Sequence, residues 1–187
     1  VRSFAISETI EAGTYKVLPV TGLVIGFQYK GNLSLLENSG QIQLNASGLT
    51  GLHDSYRIFK NSPDIGTVLV YFKEVGAAAF FRYPIHELFR ESVSLEHFMR
   101  RSELSLLEEQ VYEAKTDLDR IKVVERFLIT RMQESEPDKL VLAALRLIHE
   151  SKGNIRIKDL TEHLHLSQSP LEKRFRQIVG TSPKKFA

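Results

Sequence analysis

The chain has 187 residues, 42% of them hydrophobic and 26% charged, with no cysteine and a formal net charge of +2. This is a globular composition with room for one large domain or two small ones, and it excludes a disulfide scaffold, a thiol nucleophile and a fibrous or disordered chain. No apolar run approaches the roughly 18 residues that cross a bilayer, and the N-terminal VRSFAISETIEAG lacks a signal peptide's apolar core, so no membrane association is expected and a cytoplasmic protein is.

The first 83 residues read as β structure. TYKVLPV (14–20), LVIGFQYK (23–30), SYRIFK (55–60) and IGTVLVYFK (65–73) are rich in Val, Ile, Tyr, Phe and Thr and are separated by Gly, Asn, Ser and Pro clusters. Closely spaced strands with no helices between them predict an antiparallel barrel or sandwich. Four aromatics here, Phe27, Tyr29, Tyr56 and Tyr71, are candidates to line a small-molecule pocket, and filling of the β core is the competing reading. Tyr71 and Phe72 are consecutive in a strand and must face opposite sides.

From Pro84 the apolar residues recur at helical spacing. Ser105 and Glu108 have the form of a capping box ahead of Val111 and Ala114, predicting a helix over 104–115. Leu118, Ile121, Val124, Leu128 and Met132 predict a second amphipathic helix over 117–132. The two helices can form a dimer seam or pack within one chain. QESEPD (133–138) reads as a linker. Asp138 is placed to cap a helix over 139–151 that stops at Gly153.

The charge is unevenly spread. Residues 138–187 carry ten Lys/Arg against five Asp/Glu, which leaves the rest of the chain net acidic. A basic end on an acidic body suits a polyanionic partner, and an ordinary solvated surface is the alternative. Within this end, Leu160 and Leu164 share one face of a short helix. Ser167 follows as a candidate N-cap, and Leu171, Phe175 and Ile178 mark the buried stripe of a helix over 168–178. Gln168, Ser169, Glu172, Lys173 and Arg176 lie on the opposite face. Two short helices joined by a tight turn, the second basic on its outer face, form a helix-turn-helix pattern suited to the major groove.

SQSPLEKRFRQIVGTSPKKFA resembles the first helix-turn-helix of the AraC/XylS transcription regulators. The shared signature is Ser167, Leu171, Lys173, Phe175, Gly180, Ser182 and Pro183. The β half followed by KEVGAAAFFRYPIHELF and paired helices is similar, more loosely, to the cupin-like sensor half of such regulators. The resemblance implies an α+β protein: a cupin-like antiparallel β barrel or sandwich (1–83), a helical pair with a dimer interface (84–136) and an all-α helix-turn-helix unit (137–187). It implies base contacts at Ser169, Glu172 and Lys173, with Ser167, Gln168 and Arg176 alongside and Lys184 and Lys185 on phosphates. It implies double-stranded DNA as partner, a small-molecule effector and a homodimer. It also implies a linker helix and a second helix-turn-helix unit; since only Lys184, Lys185, Phe186 and Ala187 follow Pro183, the chain is expected to be truncated after the first unit.

Three positions depart from the family's pattern. Pro170 offers no N–H to a Ser167 cap, His165 stands where the turn usually has Gly, and Thr161 replaces an Ala of the first helix. The rival readings are a ligand-binding or dimerisation module with an incomplete DNA-binding part, and a cupin-type enzyme. The β half holds only His53, and His163 and His165, two apart on a helix, point away from each other, so neither a metal nor a cofactor is expected and the enzyme reading is disfavoured.

Overall fold

The computed structural model describes residues 1–81, 83–133 and 136–187. Arg82 in the RYPIHELF segment, and Glu134 and Ser135 in the expected 133–138 linker, lie outside the described residues. The fold is α+β. Nine strands are described: β1 (Ser3–Thr9), β2 (Gly13–Val17), β3 (Val24–Lys30), β4 (Leu33–Glu37), β5 (Gly40–Gln43), β6 (Ser47–Thr50), β7 (Arg57–Asn61), β8 (Ile65–Tyr71) and β9 (Ser92–Ser94). They form two antiparallel sheets, ordered β1-β8-β3-β6-β9 and β2-β7-β4-β5. Among the described residues no ladder joins the two, so the sandwich alternative of the β half applies and a closed barrel does not.

The larger sheet has two different faces because strand side chains alternate. On β3, Ile25, Phe27 and Tyr29 are buried on the face that meets the helices, while Val24, Gly26 and Gln28 face the second sheet. On β8, Val68 and Val70 share the helix-facing side, and Thr67, Leu69 and Tyr71 the other.

The segment after residue 83 is less helical than its periodicity predicts. It begins with a 3-10 helix (Ile85–Leu88), adds β9 to the edge of the larger sheet and continues through a second 3-10 helix (Leu95–His97). Helix α1 (Arg101–Glu113) starts before the expected capping box, with Arg100 at the N-cap position and no side-chain cap. Ser105 therefore lies inside the helix. Leu104 must already be helical to join Leu107 and Val111 on the buried stripe, and this packing outweighs the local capping signal.

Helix α2 (Asp117–Arg131) is capped by Thr116, whose hydroxyl accepts from the Asp119 N–H at 3.2 Å. Its Phe127 meets Phe27 edge-on, with ring centroids 6.5 Å apart, and the Arg120 guanidinium sits 4.1 Å from the centre of the Tyr29 ring. The helical pair thus covers the outer face of β3 with Val124 and Leu128 buried, while Leu118, Ile129 and Met132 point outward and are 60%, 62% and 58% exposed.

The C-terminal elements are α3 (Lys139–Glu150), α4 (Ile157–His163), α5 (Gln168–Val179) and α6 (Pro183–Phe186). Asp138 caps α3, its Oδ1 accepting from the Leu140 and Val141 N–H groups at 3.0 and 3.1 Å. Ala144, Leu145 and Ile148 of α3, Leu160 of α4 and Leu171 and Phe175 of α5 make a compact centre that runs without interruption into the core of the β half.

Candidate functional sites: an exposed helix face and an inter-sheet cavity

The turn between α4 and α5 is built on His165, whose φ of 49° puts it in the left-handed region. The Leu166 N–H reaches back to the Thr161 carbonyl at 3.1 Å, closing the turn. An L residue is strained in this conformation, and His bears it at a position where Gly would be relaxed. Ser167 holds the N-cap position of α5, but its side chain makes no capping hydrogen bond. Pro170 is the reason at the third helical residue: the N–H that a capping hydroxyl most often takes is absent.

The residues expected to face DNA fall on one exposed side. Ser167, Gln168, Ser169, Lys173 and Arg176 are exposed, and Glu172 is half-buried. Gln168 Nε2 donates to Glu172 Oε1 at 2.8 Å, so the carboxylate is already held within the helix. Lys173 and Arg176 make no ion pair with the described residues. Arg174, which the sequence reading left out of the site, pairs with Asp138 at 3.3 Å and braces α5 against the start of α3. Lys184 is exposed at the start of α6. Lys185 is engaged elsewhere: its Nζ lies 2.6 Å from Asp54 Oδ2 and 4.3 Å from the Phe89 ring centre.

The second site is a cavity of about 430 Å³ between the two sheets. Its floor is the inner face of the larger sheet, where Gly26 of β3 pairs directly with Gly48 of β6. Two facing glycines remove two side chains from the floor. A Cβ on Gly26 would make only ordinary contacts, 3.5 Å from Thr67 and 3.6 Å from Leu69, so these glycines keep the space open without serving backbone strain. Tyr15, Val17 and Phe59 of the smaller sheet form the roof.

Of the four aromatics proposed for a pocket, Tyr71 lines the cavity. Phe27 and Tyr29 lie on the opposite face of the larger sheet, because residues 27 and 29 share the parity of Ile25 and not that of Gly26. Tyr29 donates to Glu8 Oε1 at 2.7 Å, and burial together with that carboxylate pushes its phenol pKa up. Tyr56 is 52% exposed beneath Lys16. The sequence reading missed Gly26, Gly48, His53 and the polar wall at Gln28, Asn45, Ser92 and Ser94. Glycines inside strand-like LVIGFQYK and NASGLT are the available signal, since an interior strand glycine marks a place where space is needed.

No Asp, Glu, Lys or Arg lines this cavity among the described residues. Burial, followed by the neighbouring Tyr71, raises the Tyr15 phenol above its usual value, so the tyrosine stays neutral. The polar wall is largely self-satisfied. Gln28 Nε2 donates to the Asn45 carbonyl at 2.9 Å, Asn45 Nδ2 to Ser94 Oγ at 3.2 Å, and Thr50 and Ser92 share a hydroxyl contact at 3.1 Å.

The arrangement of a two-sheet β half followed by helices is shared with known proteins. ToxT from Vibrio cholerae in an apo form is similar over 98% of this chain and 77% of that one, at 15% identity and a TM-score of 0.50. A second ToxT structure from the same organism is similar over 98% and 78% of the two chains, at 10% identity and a TM-score of 0.50. The AraC-like transcriptional activator CuxR is similar over 98% and 73%, at 12% identity and a TM-score of 0.41. No family model matches the sequence, and no curated protein matches it. At these identities the ToxT likeness is one of fold, extending through both the β half and the C-terminal helices.

Proposed function

We propose that this chain is a transcription regulator of AraC type that reads double-stranded DNA with α5 and senses a small molecule in the inter-sheet cavity. The observation that carries the reading is the α4-turn-α5 unit. One side of α5 is buried through Leu171, Phe175 and Val179, and the other presents Ser169, Lys173 and Arg176. A helix of this kind fits the major groove, with its first turns at the base edges. Lys173 is placed for a guanine edge and Glu172 for a cytosine amino group, while Arg176 and Lys184 neutralise phosphates. The ToxT-like fold supports the division of labour between a β sensor and a helical reader.

The protein acts without catalysis, in the cytoplasm, as a homodimer. Leu118 and Ile129 on one face of α2, with Met132 just past its end, form the dimer contact. No helix among the described residues is long and apolar enough to cross a membrane. A second reading, a ligand-binding or dimerisation module that does not engage DNA, has support in the Asp54–Lys185 and Gln168–Glu172 contacts, which occupy three of the proposed DNA-facing side chains, Gln168, Glu172 and Lys185. The experiment that separates the two is selection from a random duplex library, followed by anisotropy titrations of selected and scrambled duplexes over a range of salt. The regulator reading requires preference for the selected duplex and a steep salt slope. Equal binding to both, or none, overturns it.

A further inference from the structure

We infer that the cavity between the sheets takes a neutral, largely apolar molecule bearing a hydroxyl group, and that it discriminates against carboxylates. The inference rests on the reading of this cavity as the effector site and specifies what the effector must be. Its volume of about 430 Å³ falls within the range of roughly 300–1,000 Å³ usual for small-molecule sites. The absence of any Lys or Arg among the described lining residues has a direct consequence. A carboxylate entering would lose its hydration and gain no counter-charge. A cation that touches the wall from outside is already committed. Arg57 donates to Ser92 Oγ at 2.6 Å and to the Arg90 carbonyl, and its charge interacts with Glu37 and Glu91.

His53 supplies the hydroxyl preference. It lines the cavity and is 7% exposed. Its Nδ1 lies 3.2 Å from the Gly51 carbonyl oxygen, which can only accept, so Nδ1 carries the proton. In the tautomer with its proton on Nδ1, the ring presents a lone pair at Nε2, a buried atom with no partner among the described residues. Several other polar groups of the wall satisfy one another, as Gln28, Asn45 and Ser94 do and as Thr50 does with Ser92. Nε2 calls for a donor, which an alcohol or phenol brings and a carboxylate does not.

The test compares decanol with decanoate, at a pH where the acid is ionised, by calorimetric titration and thermal shift on the full chain. The expected result is decanol binding at least about tenfold tighter than decanoate, with His53→Leu weakening decanol by about tenfold and leaving the decanoate response unchanged. Gly26→Val and, independently, Gly48→Val fill the floor and should abolish the response in chains whose circular dichroism is unchanged. Decanoate binding as tightly as decanol, and lost in the filled variants, overturns the ligand class while the cavity stands as the site. Decanol binding that survives both fillings, or no binding of decanol, overturns the inference and removes the support for this cavity as the sensor site.

Discussion

Lys185 and Asp54 meet at 2.6 Å, joining the last helical turn of the chain to the loop that follows β6. Arg90 holds the same carboxylate in a two-pronged grip, Nε to Oδ1 and Nη2 to Oδ2, each at 2.7 Å. One acidic side chain of the β half therefore carries two cations, one of them from the helical unit. Phe186 of the same turn packs edge-on to Phe175, with centroids 5.6 Å apart, and the Ser182 hydroxyl caps it by accepting from the Lys185 N–H at 3.3 Å. A single turn is too short to hold itself, so α6 is helical because of what it packs against.

The Asp54 carboxyl is held well below its ordinary pKa of 3.8, first by the Arg90 hydrogen bonds and then by Lys185. A depressed carboxylate stabilises the folded state above the unfolded pKa and loses that contribution as pH falls through the folded one. The clasp should thus be intact at neutral and mildly acid pH and release only below the normal carboxylate range. In a carbon-detected NMR titration, Asp54 should titrate below the other aspartates. Lys185→Ala should move its midpoint up and speed amide exchange of Lys185 and Phe186, while leaving the β-sheet amides unchanged. An Asp54 midpoint equal to that of exposed aspartates would contradict the pairing.

Gly180 fixes how the helical unit sits on the β half. It ends α5 with φ of 103°, and a Cβ there would lie 3.0 Å from Ile85 Cγ2 and 3.3 Å from the Ile85 carbonyl. Gly180→Ala combines a left-handed L residue with a close approach. It should cost about 1–2 kcal/mol from the backbone alone and more if the 3-10 helix cannot yield. Thermal unfolding measures this directly. Gly40, with positive φ and no neighbour within 4 Å, is the control: Gly40→Ala should bear only the backbone part.

Much of this architecture was legible in the sequence, for identifiable reasons. The strands β2, β3, β7 and β8 announce themselves through β-branched and aromatic residues, and Asp138 and Gly153 mark the ends of α3 through local chemistry. The strands that escaped were β1, β4, β5, β6 and β9, such as SGLT and SVS. β1, β6 and β9 turn Ser, Thr or Gly toward the cavity, so they lack the continuous apolar run that identifies a strand packed on both sides, and their pairing partners are distant in sequence. Phe27 and Tyr29 were assigned to the pocket, and lie on the other face of the sheet, for a related reason. Composition does not tell which face of a strand is the inner one, and one residue of parity moves a side chain across the sheet.

Lys173 and Arg176 of α5 should behave differently on DNA. Lys173 stands at the proposed base-reading position, so Lys173→Ala should relax sequence preference, narrowing the affinity ratio between selected and scrambled duplexes by about 1–3 kcal/mol. Arg176 is proposed to meet phosphate. Its removal should weaken both duplexes alike and reduce the slope of log affinity against log salt by about 0.9. If both variants lower affinity uniformly, α5 contacts the backbone only and the base-reading role falls.

The proposed dimer surface on α2 makes the last demand. Leu118 and Ile129 are eleven residues apart on α2, which returns them to within a fraction of a turn of each other, and Met132 adjoins them. Lys122 and Glu125 lie on the same face, and Lys122 is paired with Asp119 at 3.8 Å, so the apolar stripe has a charged middle. A symmetric contact across such a face would place the Glu125 of each copy within reach of the other's Lys122, which favours an antiparallel pairing of the two α2 helices. Ile129→Glu would set a new acidic charge into that contact without touching Val124 or Leu128, which face the β half. Sedimentation velocity should then show a dimer for the parent chain and a monomer for the variant, with unchanged melting of the isolated fold. A parent chain that sediments as a monomer at high concentration would remove α2 as the seam and leave its outward residues as ordinary surface.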